Sequence, residues 1–441
     1  MSIHIRSFVA LGASFIFLGV VSGCGATQEA ESGENVQQTE ISYLIQNDER
    51  GVQTAEKIID AFEQAHPDIS VRLDTQPPGT EGDNLTKTKL ATGEMSDVFV
   101  YNTGSLLQAL NPDETMVDLA NEAWVEHVDD TFLATTRTES GTYGAPVGNA
   151  FAGGILYNKK IYEKLGLEIP LTWDEFIENC RTIKNSEPDI APVIQGYGTT
   201  FTSQLLVLSD YANVQAEDPE WAEKYTHNQI HYSDAPAIYG FEHLQQIFDE
   251  ELLNEDFASI TLDQSLQMLA EGRGAHYPGL TGFVETIAAN SPENLDNIGF
   301  FATPAHDSKY TTVTTWQPAG MFIPKTTTGV KLEAAKKFID FWVTSEESCE
   351  IHKESGLPTG PYVTDTCPLT GEIPPSTQDL QKYFDSGAHA PALEFLSPIK
   401  GPNLENIAIE VASGIRTAEE GAAAYDEDVK KQAQQLGIEG W

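Results

Sequence analysis

Apolar positions along this chain recur in two periods, and the switches between them mark alternating strands and helices. Ile41, Tyr43 and Ile45 fall on every second position, as on a strand with one buried face. A polar loop from Gln46 to Gly51 follows. Ala55, Ile58, Ile59, Phe62 and Ala65 then take up helical spacing. His66-Pro67-Asp68 stops that helix, because proline cannot extend the hydrogen-bond ladder. Ile69, Val71 and Leu73 alternate again as a second strand. Thr86 to Thr92 reads as a short helix ended by Gly93, and Asp97 to Tyr101 as a third strand. This order is that of a parallel sheet covered by helices.

The second half alternates in the same way. Thr172-Trp173-Asp174-Glu175 and Thr417-Ala418-Glu419-Glu420 each match a capping box, in which hydroxyl and carboxylate satisfy each other's backbone donors. After the second box, Ala418, Ala422, Tyr425, Val429 and Ala433 form one helical stripe. From Ile41 onward the chain is too long for one comfortable core and favours two domains.

The N-terminus follows another pattern. Arg6 supplies a positive charge, Phe8 to Val21 is almost unbroken apolar sequence, and Ser22 and Gly23 are small. That is the order of a secretory signal peptide. The apolar run spans 14 residues, short of the roughly 20 that cross a bilayer. Val21-Ser22-Gly23-Cys24 looks like a bacterial lipobox, with Val where that pattern more often has Leu. That resemblance implies that residues 1–23 are a lipoprotein signal peptide and that Cys24 is the acylated (palmitate-bearing) first mature residue. Residues 24–40 have almost no large apolar side chains and read as a flexible tether. With no second long apolar run, the lipid on Cys24 is the only expected attachment to the cell membrane.

Charge narrows the partners. Lys and Arg number 25 against 67 Asp and Glu, a net charge of −42. Such a surface repels phosphate backbones and argues against nucleic acid. Cys180 lies in an apolar helical pattern and reads as core. Cys349 and Cys367 stand 18 apart across a Gly/Pro-rich stretch. An exported chain can oxidise them, but spacing alone fixes no connectivity, so bridge and free thiols both stay open. No GxSxG, HExxH or phosphate-loop motif occurs. His227 and His231 stand four apart without the metalloprotease glutamate between them. Neither enzyme activity nor a metal or cofactor is expected.

Several segments match a known family in order and spacing. They include Phe62-Glu63 with His66-Pro67-Asp68-Ile69, and Leu90-Ala91-Thr92-Gly93 with Asp97-Val98-Phe99. The most specific is Tyr143-Gly144-Ala145-Pro146-Val147 followed by Ile155-Leu156-Tyr157-Asn158-Lys159. Leu165-Gly166-Leu167, Pro170, Ala334 to Ile339 and Gly356-Leu357-Pro358 continue the series. In these the chain resembles the family 1 extracellular solute-binding proteins of ABC importers, the maltose-binding-protein-like group that binds sugars. The resemblance implies an α/β, two-lobed periplasmic-binding-protein fold of type II. Each lobe would be a mostly parallel sheet flanked by helices, with hinge strands between lobes. Lobe 1 would take 41–150 and 305–355, and lobe 2 would take 151–304 and 356–441. Crossings would fall at Asn149 to Gly154, near Thr303-Pro304 and near Leu357 to Pro361.

The implied function is capture of a carbohydrate, an oligosaccharide in particular, by lobe closure and delivery to a membrane permease by a monomer. The alternatives are a non-sugar solute or a surface carbohydrate-active enzyme. Sugars present apolar C–H faces edged by hydroxyls, so their sites combine aromatic platforms with planar polar groups. Pockets of such folds lie at the carboxyl ends of strands. Asn47 and Asp48 occupy that place after the first strand, either as ligand contacts or as caps of the next helix. Tyr101 and Asn102 occupy it after the third strand. Asn149 and Phe151 lie on the first crossing, and Tyr197 and Phe201 follow the Val193-Ile194 strand. Tyr277 to Phe283 resembles the family's contribution from the second lobe, and Trp316 and Gln317 precede a strand the family places at the cleft. Tyr101 and Phe151 could equally be core aromatics. Trp316 is the favoured platform, while Trp124, Trp173, Trp221 and Trp342 read as packing residues.

Overall fold

A computed structural model of the chain describes residues 38–441, with Pro78 excepted. The expected signal peptide, Cys24 and the tether as far as Gln37 lie outside the described residues. The tether ends earlier than its expected limit, because β1 (Thr39–Gln46) already pairs Thr39 with Ile69 and Glu40 with Ser70.

β1 lies between two parallel neighbours, β2 (Ile69–Gln76) and β3 (Val98–Tyr101). Its alternation sends Ile41, Tyr43 and Ile45 to one face and Leu44 to the other. The first face meets α1 (Glu49–Ala65), which buries Ala55, Ile58, Ile59 and Phe62. Ala65, on the same predicted stripe, is exposed at the helix end. α2 (Gly79–Thr92) starts well before the expected Thr86. Gly82 lets the helix approach Pro77, whose carbonyl oxygen would stand 2.0 Å from a Cβ there.

β4 (Ala145–Pro146) is the last strand of the first sheet before the chain crosses. β5 (Phe151–Asn158), β6 (Ala191–Val193), β7 (Gly274–Leu280), β8 (Ile298–Phe301) and β9 (Val313–Trp316) build the second sheet. β10 (Gly320–Phe322) returns to the first sheet antiparallel to β3 and β4, and β11 (His389–Pro391) pairs with β9 in the second. Both sheets are mixed rather than mostly parallel. β5 runs against β7, β8 and β9, because strands returning from the far end of a lobe oppose the one that enters it.

The connections between sheets depart from the expected boundaries. The segment after Thr303-Pro304 does not return to the first sheet. Val313–Trp316 pairs with β5, Phe151 facing Trp316, and the return follows at Gln317–Ala319. Gly153 makes this pairing possible, since a Cβ there would sit 2.7 Å from the Trp316 ring. The third connection also comes later than Leu357–Pro361. Tyr362 bridges to Asn149, Thr364 bridges to Val128, and Val363 is buried in the core beneath the first sheet. Cys367 is joined to Cys349 by a disulfide, S–S 2.09 Å.

The second sheet's main core receives both predicted capping-box helices. Trp173–Ser186 buries Trp173, Phe176, Ile177, Cys180 and Ile183. Ala418–Leu436 buries the stripe Ala418, Ala422, Tyr425, Val429 and Ala433. Both boxes form.

Candidate functional site

A cavity of about 360 Å³ opens at the carboxyl ends of β1 and β3, against the crossings between the sheets. That volume is within the range of small-molecule sites, and the place is where open α/β sheets bind ligands. Tyr43, Ile45, Val100 and Trp342 give it apolar wall, and Gln46, Asp48, Asn102 and Asn149 give it polar edge.

Of the predicted site residues, Asp48, Tyr101, Asn102 and Asn149 line this cavity. Asp48 caps α1, its Oδ1 accepting from the Gly51 N–H at 2.7 Å, and it also lines the cavity. The Tyr101 ring is buried and its hydroxyl has no protein partner. Burial, reinforced by Asp83, pushes its pKa up to about 12, so the hydroxyl keeps its proton at neutral pH. Asn149 donates from Nδ2 to Thr359 Oγ1 at 2.7 Å, tying the first crossing to the third connection.

The other eight do not line this cavity. Asn47 is exposed, its N–H donating to the Gln76 carbonyl at 2.8 Å. Phe151 and Trp316 stack on each other, centroids 6.0 Å apart and planes 8° apart, and the Trp316 Nε1–H donates to Glu394 Oε1 at 2.9 Å. Trp316, the favoured platform, is thus buried beside its partner ring. Gln317 is buried, donating to Thr315 Oγ1 while its own Oε1 lacks a partner. Tyr197 and Tyr277 are core residues of the second lobe, and burial raises the pKa of both. Phe201 and Phe283 meet edge to face at 6.4 Å, with Phe201 still 38 % exposed.

Among the contributors that reasoning from sequence missed, four carry distinctive chemistry. Trp342, read as core, is indeed buried but also lines the cavity. His352 stands edge-on to it at 5.4 Å, and burial lowers the His352 pKa to about 4. Arg50 and Glu285 line the cavity and form a two-pronged ion pair, Nη1–Oε1 2.5 Å and Nη2–Oε2 2.8 Å. Its hydrogen bond to Glu285 raises the Arg50 pKa. The one available signal was the position of Arg50 in the polar loop after β1. His227 and His231 do not converge, since His227 meets the Glu223 carbonyl while His231 meets Asn228. Among the described residues no cluster of His, Cys, Asp and Glu could hold a metal, and no helix is long and apolar enough to cross a membrane.

Comparison with known proteins agrees with this architecture. The chain is 25 % identical over 360 residues to the melibiose/raffinose/stachyose-binding protein MelE of Bacillus subtilis, covering 78 % of this chain and 79 % of the relative. It is 24 % identical over 347 residues to the multiple sugar-binding protein of Streptococcus mutans, covering 77 % and 79 %. In fold it is similar to the putative binding protein MsmE of Bacillus subtilis in an open conformation (TM-score 0.75, 20 % identity, 91 % and 100 % covered). It is also similar to apo RafE of Streptococcus pneumoniae (TM-score 0.74, 19 % identity, 89 % and 98 % covered). The model of the bacterial extracellular solute-binding protein family matches residues 47–348, most of the chain, and the chain belongs to that family.

Proposed function

We propose that this chain is the capture component of an ABC importer, binding an oligosaccharide of the melibiose, raffinose and stachyose class and handing it to a membrane permease. In this reading it acts outside the cytoplasm as a monomer and is held to the cell membrane by lipidated Cys24. The cavity carries the proposal. Its apolar wall of Tyr43, Ile45, Val100 and Trp342 suits the C–H faces of a sugar, and Asp48, Tyr101, Asn102 and Asn149 suit its hydroxyls. The Tyr101 hydroxyl, buried without a partner, is a donor waiting for an acceptor. The relatives named for melibiose, raffinose, stachyose and multiple sugars support the ligand class. Binding selects closed lobes and involves no bond chemistry.

Isothermal titration with melibiose, raffinose and stachyose tests this reading, and heat with at least one is expected. No heat and no thermal shift with any of a wider sugar panel would overturn the carbohydrate assignment. Release of cleavage products from the same sugars would point to a surface enzyme. Metabolic labelling with palmitate, lost in Cys24→Ser, checks the anchor.

A further inference from the structure

Among the described residues lining the cavity, Glu285, on the helix Val284–Asn290 packed on the second sheet, is the one contributed from the second lobe. The rest come from the first sheet, its helices and the connections between sheets. Arg50, in the first turn of α1, reaches Glu285 from 235 positions away with two parallel hydrogen bonds. This fork geometry fixes the spacing and angle of the parts it joins as well as attracting them. Both side chains keep contact with water, at 56 % and 32 % exposure. An ion pair of that kind is modest in strength and is weakened by salt.

We propose that Arg50 and Glu285 form a ligand-independent latch, holding the two lobes together at this end of the cavity in the unloaded protein and opening for a ligand to enter. The inference rests on the reading of the cavity as the ligand site. A latch of this kind sets the ratio of closed to open molecules before any sugar arrives. Removing it lowers that ratio roughly two- to five-fold. Entry then becomes faster and retention weaker, by no more than the same factor. A neutral sugar brings no charge of its own, so the latch gives its affinity a dependence on ionic strength. With a net charge of −42, salt also relieves repulsion between lobes, and only comparison with latch variants separates the two effects.

Spin labels at Glu56→Cys on α1 and Glu293→Cys beside the helix Val284–Asn290, in a Cys24→Ser chain, read the opening without sugar. Pulsed electron resonance is expected to show a short-distance population in the unloaded parent. Arg50→Ala and Glu285→Ala should each shrink it two- to five-fold, and Arg50→Glu with Glu285→Arg should restore it. The parent's excess over Arg50→Ala should fade at high salt. Absence of a short-distance population in the unloaded parent, or distributions unchanged in Arg50→Ala, would overturn the latch. Raffinose titration of the same proteins separates this from the ligand reading. Expected distances with no raffinose binding keep the latch and remove raffinose, and raffinose binding with unchanged distances does the reverse.

Discussion

The two sides of this molecule use the same residue types to different ends. On the first side, Tyr101 of β3 and Trp342 of the helix Val330–Thr344 are buried yet border open space, next to Asp48, Asn102 and Asn149. On the second, Phe151 stacks on Trp316, and Tyr277 and Phe201 lean on Phe283, so the rings occupy each other's surfaces. An aromatic side chain becomes a platform or a strut according to what fills the space beside it. The comparison predicts that changes on the first side cost binding, whereas changes on the second cost stability.

Trp316→Ala is the strongest challenge to that division. Removing a buried indole that stacks on Phe151 should lower the unfolding free energy by about 3–5 kcal/mol in urea titration. A loss below about 1 kcal/mol would place Trp316 among ligand-facing rings instead. Replacing Cys349 and Cys367 by serine should cost about 3 kcal/mol, the order expected for a loop of this length. The same change should weaken sugar binding, since Gly356, Leu357 and Tyr362 of the tethered segment line the cavity.

Acid should act on both sides. His352 beside the cavity and His276 in the second lobe both have pKa values lowered to about 4, chiefly by burial. The fold favours their neutral forms, so their contribution is intact above the unfolded value of about 6.5 and is lost as pH falls toward 4. The loss of unfolding free energy between pH 7 and pH 5 should be smaller in His352→Gln than in the parent by about 1–2 kcal/mol, measured by urea titration at the two pH values. The smallest change is Tyr101→Phe. Deleting one hydroxyl should weaken sugar affinity by roughly two- to ten-fold in calorimetry while leaving the urea midpoint nearly unchanged. An equal loss in Tyr277→Phe would erase the contrast between the two walls.

Local signals in the chain were the legible ones. The stripe from Ala418 to Ala433 and the boxes at Thr172 and Thr417 depend on residues a few positions apart, and each forms as read. The carboxyl-end rule brought Asp48, Tyr101 and Asn102 to the cavity, because it needs only strand ends and the sheet order the family implies, and the expected first crossing brought Asn149. The second crossing was misjudged because Val313–Trp316 is decided by its pairing with β5, far upstream, and Pro304 looked like the nearer break. Arg50 and Glu285 escaped for the same reason: either one alone is an ordinary surface charge. Trp342 shows a further limit, since an apolar neighbourhood predicts burial but not whether one edge of the ring faces a void.

The bond between Cys349 and Cys367 adds an order of events to the shape. Thiols inside the cell are kept reduced, and such a bond persists only in an oxidising compartment. The segment it pins supplies the back of the cavity, so that wall is completed at the destination rather than during synthesis. A molecule held back in the cytosol would carry a receptor with its last fastening undone.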